Sequence, residues 1–136
     1  MYCLFCKIVQ GSIPSAKVYE DDALVAFLDI NPVNPGHVLV IPKEHYASLL
    51  ETPEAVAGSL LAIAPSLGKA MMQATNAAGF NVAVNTGRVA GQVVDHVHLH
   101  LMPRHAGDGY ELWHGKPYEN ADAMHKMGNS IRSALQ

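Results

Sequence analysis

The 136-residue sequence predicts an α+β fold on a mostly antiparallel five-stranded sheet, and three observations carry that prediction. Five runs of β-type residues are separated by turn signals. The first two lie close enough to form a hairpin. A single helical stretch of about 25 residues divides the third run from the fourth, and shorter helical patterns stand at the two ends.

Residues 3–10 read as a short helix ended by Gly11, after which Ile13-Pro14 turns the chain away. Val18-Tyr19-Glu20 and Ala23 to Leu28 form two strands around the acidic turn Asp21-Asp22. Asn31-Pro32-Val33-Asn34-Pro35-Gly36 has the composition of a loop, and it delivers the chain to His37-Val38-Leu39-Val40-Ile41-Pro42, a β-branched run stopped by proline. Thr52-Pro53-Glu54 supplies an N-cap, a proline at the first helical position and an early acid. The long helix they open runs through Leu60, Leu61, Leu67 and Met71, with a kink expected at Pro65. Phe80 to Asn85 is the fourth strand, Thr86 to Gly91 a glycine-containing loop, and Val93 to Met102 the fifth strand. From Asn120 onward, Met124, Met127, Ile131 and Leu135 recur at helical spacing and predict a closing helix. The chain shows no repeat, low-complexity tract or linker, so residues 1–136 are expected to form a single domain.

Apolar residues make up 49% of the chain and charged residues 15%, which predicts an ordered protein with a rather greasy surface. Nine Lys and Arg against twelve Asp and Glu leave a net charge of −3 without a basic run, which argues against a nucleic-acid polymer as partner. The amino terminus lacks a basic region followed by a long apolar run, and no later segment reads as membrane-spanning. A soluble, cytoplasmic protein is therefore expected, with no membrane partner. Its only two cysteines form Cys3-x-x-Cys6, a spacing that suits a metal clip or a redox motif better than a structural disulfide.

The chemistry concentrates in His96-Val97-His98-Leu99-His100-Leu101-Met102. In a strand, residues i, i+2 and i+4 share a face at intervals of about 6.5–7 Å, so three imidazoles would line one surface with Val97, Leu99 and Leu101 packed behind. Each ring carries two polar nitrogens that need partners once buried, and stability alone would favour Val, Ile or Thr. The plain alternative is three satisfied or exposed strand histidines. His37 and His45 bracket the third strand, so five imidazoles and two thiolates would gather if the third and fifth strands are neighbours. Cys3 and Cys6 with two histidines would make a four-coordinate structural zinc site; the competing reading is two small buried residues on a helix. A second site would hold a phosphate-reactive imidazole whose other nitrogen is tied down by an acceptor. Its rival is a catalytic metal on a His-x-His strand, which calls for bridging acids and further histidines where this chain has Leu101-Met102-Pro103-Arg104.

Together these motifs resemble the histidine-triad (HIT) family of nucleotide-binding hydrolases and transferases. His96 to Met102 fits its alternating signature at all seven positions. Gly36 to Lys43 is similar to the strand before the triad, Phe27-Leu28-Asp29-Ile30 to the ribose-contacting strand, and Asn85 and Gln92 match in type and spacing. The similarity covers residues 2–105, and Gly107-Asp108-Gly109-Tyr110 with Trp113 resembles the tail of bacterial members. The resemblance implies a HIT-like fold in which His98 attacks the α-phosphorus of a purine nucleotide and carries the nucleotidyl group. It also implies that His100 contacts phosphate and His37 buttresses the triad. Asp29 would bind the ribose hydroxyls; Leu4, Phe5, Ile8, Ile13, Phe27 and Ile30 would enclose the base; Asn85 and Gln92 would position the phosphate. Cys3, Cys6, His45 and His96 would hold a structural zinc, as in zinc-bearing members. The implied activity is that of a nucleoside phosphoramidase-like hydrolase or nucleotidyl transferase. The alternatives are dinucleoside polyphosphate hydrolysis, or nucleotide-binding regulation with vestigial turnover. A homodimer is implied, built on the long helix and the Phe80 to Asn85 region, with Trp113 reaching the partner's site. Two positions depart from the pattern: Val93, where many members have Ser or Thr, and Asp95, where an aromatic or proline is usual.

Overall fold

The computed structural model describes residues 2–135, in which five strands form one antiparallel sheet in the order β1-β2-β3-β5-β4. The strands are β1 (Lys17–Glu20), β2 (Leu24–Leu28), β3 (Val38–Pro42), β4 (Gly79–Ala83) and β5 (Leu99–Arg104). The helices are α1 (Leu4–Val9), α2 (Glu54–Ala62), α3 (Ala64–Thr75) and α4 (Ala121–Ala134). The third and fifth strands are indeed neighbours, paired Val38 to Leu101, Leu39 to His100 and Val40 to Leu99.

Strand alternation divides the side chains between two cores. Leu24, Ala26, Val38, Val40, Leu99 and Leu101 face α2 and α3, where they meet Leu60, Ala64 and Met71. Val25, Phe27, Leu39 and Ile41 point the other way and pack against Phe5, Ile8 and Cys3 of the α1 region. The central strand β3 is consequently buried at every residue, which is why its sequence is a continuous apolar run rather than an alternating one. β5 instead alternates buried and half-buried residues. Its apolar set sits under the helices, and His100 projects on the α1 side.

Two glycines mark close approaches. A Cβ on Gly68 of α3 would lie 2.5 Å from Phe80 Cζ of β4, so the helix rests directly on that ring. Gly36, at φ +99°, has room for no Cβ either, since one would meet Thr75 Cγ2 at 2.5 Å. The turn that launches β3 is therefore fitted against the end of α3.

The structure departs from the sequence reading at several boundaries. The long helix is two: α2 ends at Ala62, and α3 resumes with Pro65 in its first turn, where the missing N–H removes no helical bond. Thr52 does not cap α2; Pro53 occupies that position, and the Thr52 hydroxyl donates to the Ser48 carbonyl at 2.7 Å. Counted through its bend, Glu54–Thr75 spans 22 residues and contains an 18-residue stretch with a mean hydropathy of 1.4, so by length and composition one segment does reach membrane-spanning size. Leu60, Ala64, Gly68 and Met71 of that segment are buried. β4 stops at Ala83 rather than Asn85, and β5 begins at Leu99, not Val93. The segment before β5 is instead an irregular approach, tied by the Val97 N–H to the Tyr46 carbonyl at 2.8 Å. α4 forms where predicted, capped by Asn120 on the Ala123 N–H, but it buries none of its residues: Met124, Met127, Ile131 and the following Leu135 are all exposed.

Candidate functional site

The five histidines gather on the α1 side of β3 and β5 and divide into two groups. His45 and His96 have ring centroids 5.0 Å apart; His37 and His98 each lie about one ring width from His100, at 5.1 and 5.0 Å. Phe5 stands between the groups, edge-on to His96 at 5.9 Å and to His98 at 5.1 Å. Although the backbone of residues 94–98 is irregular, Phe5 contacts both His96 and His98, and His98 contacts His100, so the three triad rings still share one side.

In the first group, Cys3 caps α1, its Sγ accepting the Cys6 N–H at 3.3 Å, so the Cys-x-x-Cys spacing brings both sulfurs to one end of the helix. Cys3 Sγ is 3.4 Å from His96 Nδ1, and Cys6 Sγ is 3.4 Å from His45 Nδ1 and 3.6 Å from His96 Nδ1. The two Nδ1 atoms are 3.2 Å apart. His96 Nε2 donates to the Pro42 carbonyl at 2.8 Å, which leaves its Nδ1 with a lone pair facing the sulfurs. A tetrahedron with bonds of about 2.0–2.1 Å to nitrogen and 2.3 Å to sulfur has edges of about 3.3–3.8 Å. The four donor atoms all lie within 4.8 Å of one another and fit such a shell.

In the second group, hydrogen-bond partners fix each tautomer. His98 Nδ1 donates to the His96 carbonyl at 2.7 Å, so Nε2 keeps its lone pair. The Val33 N–H donates to His37 Nδ1 at 3.0 Å, which places the His37 proton on Nε2, where it is donated to His100 Nδ1 at 2.9 Å. His100 therefore carries its own proton on Nε2. Burial pushes His37 and His98 below their ordinary pKa, and burial with the neighbouring His98 and His37 brings His100 down to about 4. All three rings are neutral at pH 7. Asp29 completes the group, with Oδ2 3.7 Å from His37 Nε2 and Oδ1 accepting the Asn31 N–H at 2.9 Å. Asp29, His37 and His100 are close enough to be a second metal cluster. The proton that Val33 forces onto His37 Nε2 opposes that use.

A cavity of about 400 Å³ opens over His98 and His100, lined by Leu4, Phe5, Ile8, Ile13, Phe27, Asp29 and Ile30. This size is in the range of small-molecule sites. Ile30 stands at its rim, 90% exposed. Asn85 is elsewhere: it lines a second cavity of about 410 Å³ on the far side of His100, with His37, Arg104 and Trp113. Gln92 differs most from its expected place. Its Nε2 donates to the Ala47 and Val94 carbonyls and its Oε1 accepts the Gly87 N–H, so no amide proton is left to offer a phosphate. Val93 is 80% exposed at the wall of the first cavity and belongs to no strand. Asp95 orients no histidine; it pairs in solvent with Arg88 at 3.1 Å.

Leu39 lines the first cavity and was not anticipated, although its two-residue offset from His37 already placed it on the histidine face. The Val33 amide leaves no side-chain signature and could not have been found from sequence.

Among known proteins, the HIT domain family matches residues 10–107. The chain is 45% identical over 106 residues to an adenylylsulfatase of Arabidopsis thaliana, a stretch that is 78% of this chain but spans only 54% of that longer protein. It is 43% identical over 138 residues to an adenosine 5'-monophosphoramidase of Schizosaccharomyces pombe, covering 100% of each. A HIT family structure from Bacillus subtilis superposes with a TM-score of 0.92 at 37% identity, over 100% of this chain and 99% of that one. A zinc-bound histidine triad family protein from Mycobacterium smegmatis superposes at 0.78 with 35% identity over 99% of each chain.

The low pKa of His100 has a consequence for stability. The unfolded chain binds a proton on this ring near its ordinary value of 6.5, whereas the folded chain resists it until about pH 4. Stability from this group is therefore complete above 6.5 and lost as pH falls toward 4, with a slope of at most roughly 1.4 kcal/mol per pH unit. Denaturant titrations across this window should give a shallower pH dependence for His100→Gln than for the parent; equal slopes would show that this ring is not buried neutral.

Proposed function

The chain belongs to the HIT domain family, and on that premise we propose that it hydrolyses or transfers a purine nucleoside monophosphate group by covalent catalysis at His98. The observation that carries this reading is the pairing of His98 Nδ1 with the His96 carbonyl, which frees Nε2 as a neutral nucleophile beside the first cavity. Attack by Nε2 on the α-phosphorus forms a phosphorus–nitrogen bond and breaks the bond to the leaving group; a departing amine takes up a proton from solvent. Water then attacks the same phosphorus and returns a proton to solvent, the bond to His98 breaks, and the nucleoside monophosphate is released. The Nε2 proton of His100 is donated to a phosphate oxygen. His37 holds that ring in the required tautomer.

The cavity supports the remaining assignments. Asp29 presents a carboxylate for the ribose hydroxyls, and Leu4, Phe5, Ile8, Ile13 and Phe27 form apolar walls for the base, with Ile30 at the rim. Asn85 would reach the phosphate or leaving group from the second cavity, on the other side of His100. Gln92 acts by fixing the Gly87 to Val94 loop rather than by touching phosphate. The relative named for monophosphoramidase activity favours an amine leaving group over a nucleotide.

Intact-mass analysis during incubation with adenosine phosphoramidate should detect the chain with one added adenylyl group. His98→Asn should abolish both adduct and turnover while leaving nucleotide affinity within a few fold. An adduct only from a dinucleoside polyphosphate would move the reading to that substrate class; turnover of more than a few per cent in the variant would remove His98 from the mechanism.

Cys3, Cys6, His45 and His96 are the residues that would hold zinc, since two soft sulfurs and two imidazole nitrogens at tetrahedral spacing are the donor set zinc prefers. Bound there, zinc supplies a closed structural tie with no open position for substrate. The four ligands join α1, the segment after β3 and the approach to β5. Elemental analysis should find one zinc per chain. Chelation should lower Tm by about 10 °C or more, because ligand binding to the folded state adds directly to its stability. Metal-free protein with an unchanged Tm would overturn the assignment.

We read the chain as a homodimer. The edge strand β4 has Val82 exposed on it, and Leu61 of α2, Leu112 and Trp113 are exposed as well. Light scattering at micromolar concentration should give twice the chain mass, and a monomer mass would contradict this.

A further inference from the structure

Asp108 is a buried carboxylate that the proposed mechanism does not use. Only 5% of its side chain is exposed, and it accepts five hydrogen bonds. Arg104 approaches it with Nε at 2.7 Å and Nη2 at 3.0 Å, and the backbone N–H groups of His105 and Tyr110 donate at 3.2 and 3.1 Å. The fifth donor is Asn34 Nδ2 at 3.0 Å, which also donates to the Pro103 carbonyl at 2.8 Å. Asn34 sits in the proline-rich turn between β2 and β3, 74 residues away in sequence. Its own carbonyl accepts the His37 N–H at 3.1 Å, and the residue before it is Val33, whose N–H holds His37 Nδ1.

We infer that Asp108, acting through Asn34, is a positioning residue that fixes the tautomer of His37 and thereby the proton that His100 offers to substrate. With the Val33 N–H in place, a neutral His37 is protonated on Nε2 alone. If the turn shifts, His37 is free to carry its proton on Nδ1. Its Nε2 then becomes an acceptor facing His100 Nδ1, and that contact is satisfied only if His100 moves its proton from Nε2 to Nδ1. A lone pair on His100 Nε2 would then confront phosphate oxygen. The effect on turnover rests on the nucleotidyl-transfer reading above; the effect on the tautomer does not.

The test compares the full chain with Asp108→Asn and Asn34→Ser. Asparagine at 108 sets an NH₂ against the two donors that converge on Oδ1 or the three, Asn34 among them, that converge on Oδ2, and serine at 34 is too short to span Pro103 and Asp108 while leaving the Arg104–Asp108 pair intact. Long-range ¹H–¹⁵N spectra of the histidine rings should show His37 protonated on Nε2 in the parent and a mixture of tautomers in both variants. Turnover of adenosine phosphoramidate should fall by about 10- to 100-fold in kcat, the scale of a small misplacement of reacting groups. KM should change little, because neither residue lines the first cavity. A merely structural role would lower Tm without altering the His37 spectrum, and an unaltered spectrum in Asn34→Ser would overturn the inference even if Asp108→Asn failed to fold. A shifted tautomer in a chain that never turns over the phosphoramidate would instead leave this inference standing and remove the proposed activity.

Discussion

Every buried imidazole nitrogen in this protein has to be satisfied, and the rest of the site depends on how that requirement is met. A ring nitrogen that donates to a fixed carbonyl leaves the opposite nitrogen as a lone pair, so the backbone decides which atoms can bind metal or attack phosphorus. The Pro42 carbonyl does this for His96, and the His96 carbonyl does it for His98. The Val33 amide imposes the reverse order on His37 and, through it, on His100. Among the described residues no buried side-chain polar atom lacks a partner. The arrangement is consistent with burial that keeps the second group neutral at pH 7.

That chemistry depends in turn on a sheet with two dry faces. β5 can carry polar rings on one side because Leu99 and Leu101 are anchored under α2 and α3 on the other. The α1 helix closes the ring-bearing side with Phe5, whose edge separates the two imidazole groups. Two adjacent clusters of similar residues consequently differ in the donor atoms they present. The cluster that includes both cysteines has the softness and spacing for zinc, and the cluster nearer Asp29 has the donors and lone pair for phosphoryl chemistry.

The region after β5 behaves differently from the body. Arg104 and Asp108 knit the end of β5 to Asn81 of β4 and to the turn before β3. From Glu111 to Leu135 every residue except the half-buried Ala123 is exposed, and α4 keeps its apolar stripe in solvent. Local signals were sufficient to form that helix, since an asparagine cap and helical spacing act within a few residues. They carried no information about what the stripe packs on.

Residue order was enough to set the alternation of polarity along the strands, the two-residue spacing of the triad and the Cys-x-x-Cys spacing on a short first helix. Each is a periodicity that backbone geometry converts directly into a shared face or a shared helix end. The apolar walls and the acid of the first cavity were legible only through the family resemblance, because they lie on α1, on β2 and in the loops beside them and share no single periodicity. Tertiary structure alone decided the rest. Gln92 matched by type and spacing, yet its amide is consumed by Ala47, Val94 and Gly87, partners that only folding brings to it. Asn85 fell beyond the end of β4 into the second cavity. The tautomers of His37 and His100 trace to a main-chain N–H, and Asp108 reaches them across 74 residues through Asn34. Hydrogen bonds to backbone groups and contacts between distant segments leave no pattern in residue types, so a sequence can show which side chains face one another but not which proton each of them holds.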